Sequence, residues 1–143
     1  PGDTDSATGS EPRDQVDWVA LLQSCSALEA YCRCYTADVR AERVTEFLLL
    51  NAEFPRSVRF AAVQLEASLR ALAGMSARGA TGRVERLAGR LRASLEYAQV
   101  DEFLGDAPHA YLGGITRQCN AIHSALYQSC ISYPIESGLP VQA

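Results

Sequence analysis

The chain has 143 residues, of which 48% are hydrophobic and 21% charged, with a formal net charge of −4. That length fits one compact domain, which buries about two-thirds of the surface that its unfolded form would expose. No apolar run approaches the ~20 residues that span a bilayer, and no basic leader precedes a short apolar stretch; a membrane-spanning chain is excluded, and a soluble, cytoplasmic protein is expected.

Pro1 stands first, which fits a chain processed or cut from a longer one. Five cysteines, Cys25, Cys32, Cys34, Cys119 and Cys130, form no C-x-x-C pair and no complete disulfide set, so they read as reduced thiols. Every basic residue is arginine. Residues 1 to 17 hold five acids against Arg13, a net of −4 that equals the charge of the whole chain. Residues 40 to 92 carry ten arginines against five acids, and residues 93 to 143 one arginine against five acids. An acidic tail and a basic middle are therefore the two electrostatic features.

Residues 1 to 13 are rich in Gly, Ser, Thr, Asp and Pro, with almost nothing to bury, and read as a disordered acidic linker or tail. From Asp14, a candidate cap, Trp18, Leu21, Leu22, Cys25, Leu28, Cys32 and Tyr35 repeat at three- and four-residue steps. They predict one amphipathic helix whose weakest point is Ser24 and Ser26. Thr36 to Asp38 form a turn, and Ala41 to Leu50 a second helix with Val44, Phe47 and Leu48 facing inward and Asn51 as its stop. Pro55 suits the first position of a third helix, carried by Val58, Ala62, Leu65, Leu69 and Leu72 to a left-handed cap at Gly74.

Thr81 caps a fourth helix with the stripe Val84, Leu87, Leu91, Leu95 and Ala98, and with Arg92 and Glu96 spaced for a surface pair. Asp101 begins a turn. Pro108 starts a last helix through Tyr111, Ile115, Cys119, Ile122, Leu126 and Cys130. Gly113 and Gly114 cost that helix about 1 kcal/mol each, which predicts a close neighbour there. No segment alternates with period two, so the fold class is all-α, a bundle-like domain of about five helices over residues 14 to 134, with 135 to 143 as a flexible tail.

Chemistry is harder to find. Cys119 and His123 stand four apart on one helix, yet no further ligand falls at metal-binding spacing, and the cysteines lie on apolar stripes; no metal and no cofactor are expected. Arg33 lies between Cys32 and Cys34, but helical neighbours point about a third of a turn apart, so Cys32 reads as core and Cys34 as edge. There is no Gly-rich phosphate loop, no G-x-S-x-G and no acid pair, and no catalytic residue is assigned. The arginines of the middle read first as a solvated face with internal pairs such as Glu66 with Arg70. Arg40, Arg43, Arg56 and Arg59 are the candidate interaction surface, suited to a carboxylate-bearing peptide or protein and not to nucleic acid, whose motifs are missing.

The strings DWVALLQSCSALEAYCRCY, AERVTEFLLLNAEFPRSVRFAAVQLEASLRAL and GRLRASLEYAQVDEFL, with IHSALYQSCISYP near the end, resemble the bacterial alpha-E family over about residues 14 to 134. The most specific string is FLLLNAEFPRSVRF. The resemblance implies a helical protein whose naming Glu-Arg motif lies in an N-terminal half that this chain lacks; Glu42-Arg43 is not carried onto it. It also implies a partner surface for that half, and an association with circularly permuted ATP-grasp ligases or transglutaminase-like proteins that make or modify peptide amides. On that basis the chain is expected to be a non-catalytic scaffold or interaction module. The alternatives are an amide-metabolising enzyme whose site is shared with the other half, and a structural helical protein that forms homo-oligomers.

Overall fold

The structure, a computed structural model, describes residues 12–75, 82–105 and 108–131. These form α1 (Pro12–Ser24), α2 (Leu28–Tyr35), α3 (Ala41–Thr45), a π-type turn (Glu46–Leu50), α4 (Val58–Met75), α5 (Gly82–Glu96), α6 (Val100–Leu104) and α7 (Pro108–Ile131). No strand occurs among the described residues. The all-α class holds, with seven α-helices among the described residues where the periodicity predicts about five. Thr81 and the segment 132–143 lie outside the described residues, as does most of the acidic tail; Pro12 and Arg13 already belong to α1.

The first predicted helix is two. It breaks at its serines, where Ser26 takes φ 50°. The Ala27 N–H donates to the Leu22 carbonyl at 2.8 Å and the Ser26 N–H to the Gln23 carbonyl at 2.9 Å, the bonding of a Schellman ending with serine in the left-handed position. Leu22 and Ala27, the two residues that this ending brings together, are both fully buried. The reversal lays α2 beside α1. It closes a small core of Leu22, Ala27, Tyr31, Val39, Val44 and Phe47, with Trp18 and Tyr35 against it. A left-handed pair, Thr36 and Ala37, ends α2 where the sequence predicts a turn.

The larger core lies between α4, α5, α6 and α7 and is aliphatic: Leu69, Val84, Leu91, Leu95 and Ile122 are buried in it, and Phe103 of α6 closes its end. The predicted stripe of α5 is right, although Ala88 is more buried than Leu87. On α4 the buried stripe stops at Leu69; Leu72 is exposed, and the helix continues through Gly74 to Met75. On α7 the core side runs through Ile115, Ile122 and Ala125, so Cys119, about 40° off that line, is exposed.

The two cores meet in the string FLLLNAEFPRSVRF. Phe47 and Leu48 pack into the first core, while Leu49 and Leu50 pack against the second. Four consecutive apolar residues cover most of a helix circumference, and this segment is sandwiched on both sides. Asn51 stops the turn as predicted: its Oδ1 accepts the N–H of Glu53 at 2.9 Å and of Phe54 at 2.8 Å. Pro55 does not open α4. The helix begins at Val58, capped by buried Ser57, whose Oγ accepts the Phe60 N–H at 3.0 Å and donates to the Asn51 carbonyl. Ser57 wins because a hydroxyl satisfies an otherwise unpaired helix N–H, which proline cannot do.

Candidate binding surfaces

The four arginines singled out by sequence are placed in two ways. Arg40 Nε reaches Asp38 Oδ1 at 3.0 Å and Arg43 Nη1 reaches Asp38 Oδ2 at 2.7 Å, so one carboxylate holds two guanidinium groups. The Arg43 guanidinium also lies 5.8 Å from the centre of the Tyr35 ring. The Arg40 side chain is 62% exposed and that of Arg43 41%. This pair carries more positive charge than Asp38 neutralises, and each guanidinium keeps donors to spare.

Arg56 and Arg59 are tied to backbone. Arg56 Nη1 donates to the Ser26 carbonyl at 3.2 Å and to the Cys25 carbonyl at 3.4 Å, at the end of α1; Arg59 Nη1 donates to the Leu50 carbonyl at 3.4 Å. A cation at a helix C-terminus satisfies unpaired carbonyls and complements the helix dipole. Both arginines therefore fasten the joint between the cores. Arg56 remains exposed, while Arg59 is half-buried. The predicted internal pairs form as well: Glu66 accepts Arg70 at 3.0 Å and Arg92 at 2.7 Å, and Arg92 also pairs with Glu96.

A second basic region takes three arginines of the basic middle, read from sequence as a solvated face, and adds Arg117, which the sequence reading did not single out. Arg83, Arg86 and Arg90 lie on one exposed side of α5, and Arg117 is exposed on α7. Among the described residues none of these four forms an ion pair within 4.0 Å. Arg90 and Arg117 line a groove of about 380 Å³ between the two helices, with Leu87, Gly114, Gln118 and Ala121. Gly114 of α7 lines this groove, and neither it nor Gly113 meets another helix. A Cβ on Gly113 would meet Arg117 Nη1 at 3.4 Å, and one on Gly114 would meet Arg117 Nη2 at 3.8 Å, so the nearest neighbour of the pair is a guanidinium one turn along the same helix. The close neighbour expected there is thus Arg117 and not another helix.

Cys32 packs on the first core and Cys34 is exposed, as their helical positions require. Cys119 and His123 are both exposed on α7, and no group of three His, Cys, Asp or Glu converges among the described residues. The side chain of Cys130 lies outside them. The shifted titrations have packing causes: burial raises Tyr31, Tyr35 and Tyr111 above the usual phenol value, and the Glu96 and Glu66 carboxylates raise Arg92. Tyr31 is fully buried and its hydroxyl donates to the Asp38 carbonyl at 2.6 Å, tying the first core to the residue that holds Arg40 and Arg43.

No described helix is long and apolar enough to cross a membrane. Glu-Arg occurs twice in the chain, as Glu42-Arg43 on α3 and as Glu85-Arg86 in the first turns of α5. Comparison with curated proteins and with solved structures gives no match. The family model described as a predicted alpha-helical domain with a conserved ER motif matches residues 3–129, which covers most of the chain, and the helices described within this span agree with it. The chain belongs to the Alpha-E family.

Proposed function

We propose that the chain is a non-catalytic helical interaction module of the cytoplasm that acts with an ATP-grasp-type amide ligase or a transglutaminase-like protein in peptide synthesis or modification. The observation that carries the reading is the Arg40–Arg43 pair on Asp38, an exposed and pre-ordered pair of guanidinium groups with spare donors. Such a pair suits a carboxylate on a protein or peptide surface, because a planar fork binds it through two bonds at once. Arg56, exposed beside the α1–α2 turn, and Arg59, tied to the Leu50 carbonyl at the joint, are the other two arginines assigned to this role.

The test is retention from a native lysate on the immobilised chain after a moderate-salt wash, with identification of the bound proteins by mass spectrometry. A ligase or transglutaminase-like protein should be retained, and Arg40→Ala with Arg43→Ala should release it while the helical circular dichroism is unchanged. Equal retention by the double variant would sink the surface assignment. Turnover of an amide substrate by the purified chain alone would instead make it an enzyme.

A homo-oligomer is the second reading, and a specific observation favours it. Val16, Tyr97 and Tyr127 are 66%, 78% and 58% exposed, and Val63 and Leu72 of α4 are exposed as well. Large apolar side chains left in water favour association if they share one patch. Sedimentation that changes with concentration would support this reading.

A further inference from the structure

We propose that the groove between α5 and α7 binds a carboxylate that stands next to an amide N–H, the chemistry of a peptide C-terminus or an N-acylated amino acid. This site is separate from the Arg40–Arg43 surface and stands whether or not that surface has a partner. Arg90 and Arg117 enter the groove from opposite helices, and neither is neutralised by a carboxylate among the described residues. Two forks facing one volume of about 380 Å³ match an anion with two coplanar oxygens, and the volume suits one or two residues.

The second recognition element is Gln118. Its Oε1 is buried and accepts no hydrogen bond, which leaves an acceptor unsatisfied in a residue that lines the groove. Its terminal torsion is soft, so the amide turns toward an incoming donor with little cost. A bare anion brings no donor, whereas the N–H beside a C-terminal carboxylate does. Leu87 and Ala121 supply apolar wall for the side chain between them. Gly114 lines the groove without a Cβ, which leaves the helix backbone as an open floor beside the Arg117 guanidinium.

The test is titration of the isotopically labelled chain with acetyl-alanyl-alanine as the free acid, with the same compound as its C-terminal amide, and with inorganic phosphate, followed by NMR. The free acid should shift the Gly114 amide and the Arg117 side-chain signals saturably, while the amide should leave them in place. Arg90→Gln and Arg117→Gln should each weaken the free acid by about tenfold or more, as expected for loss of a charged hydrogen-bond partner. Gly114→Leu, which fills the floor without changing charge, should abolish binding. Equal binding of acid and amide would overturn the proposal. So would saturation by phosphate at the same or lower concentration than the free acid, which would make the groove a plain anion site, and so would unchanged affinity in both arginine variants.

Discussion

The two halves of the molecule solve the same packing problem differently. The region from α1 to the π-type turn builds a core from short helices and aromatic rings: Phe47 meets Tyr31 and Tyr35 edge-on at 5.5 and 6.0 Å and stacks on Phe54 at 4.6 Å. All three positive-φ residues among the described residues, Ser26, Thr36 and Ala37, lie here, and none is glycine. The region from α4 to α7 uses long helices with aliphatic stripes, has no such backbone, and is cross-linked at its surface by Glu66 and Arg92. Long helices gain stability from regular faces, whereas short ones depend on reversals whose backbone is strained and on a few large side chains. The first region should therefore be the less stable, held to the second by the FLLL run and by Ser57.

The largest test of that difference is Phe47→Ala against Leu95→Ala. Each removes a fully buried side chain and should cost about 3–5 and 2–5 kcal/mol respectively. Trp18, the single tryptophan, packs on the first core, so its fluorescence reports that region while far-ultraviolet circular dichroism reports mainly the long helices. In the native chain the two urea transitions should coincide, because the π-type turn belongs to both cores. Phe47→Ala should split them, with Trp18 moving first, and Leu95→Ala should shift both together. Two separate transitions in the native chain would break the idea of a shared joint.

Ser57→Ala comes next. It removes a helix cap and leaves the half-buried Phe60 N–H without its partner, for a loss of about 1–2 kcal/mol that both probes should register equally. An alkaline titration then tests the buried phenols of the first core. Burial holds the Tyr31 and Tyr35 phenols above their ordinary value, so the folded state keeps protons that the unfolded state releases. That stability is complete below about pH 10 and falls as pH rises through the raised values. Tyr31→Phe should therefore move the alkaline midpoint of Trp18 fluorescence to higher pH, with the helical signal following because the π-type turn belongs to both cores; an unchanged midpoint in the variant would exclude the buried phenol as the cause.

The smallest expected effect is a gain. Ala37 at φ 60° pays the steric penalty of the left-handed region, so Ala37→Gly should raise stability by about 0.5–1 kcal/mol, read as an upward shift of the urea midpoint for Trp18. No change would mean that the turn at Thr36–Ala37 is not a weak point of the first region.

Much of the second region was legible in the sequence. The stripe of α5, that of α7 except at Cys119, the Pro108 start and the Glu66–Arg70 and Arg92–Glu96 pairs follow from a 3.6-residue period acting over long stretches. The first region was less so. Apolar spacing runs unbroken from Trp18 to Tyr35, and only the bonding of Ser26 and Ala27 shows that the chain reverses there. The candidate site was the least legible part. Arg56 and Arg59 read as surface arginines until their carbonyl partners, 30 and 9 residues away, are known. Arg90 and Arg117 lie 27 positions apart in the chain and share a groove only because α5 packs on α7.

By itself, then, the sequence determined the helical class, the faces of the long helices and the membership of a family, because each rests on local periodicity or on ordered strings. Tertiary structure alone decided the division into two cores, the use of the FLLL run as their shared wall, the fastening role of Arg56 and Arg59, and the meeting of Arg90, Arg117 and Gln118. The physical reason is the same in each case. A side chain's chemistry is fixed by its type, but whether it spends its hydrogen bonds on the chain's own carbonyls or keeps them for a ligand depends on which distant segment folding brings beside it.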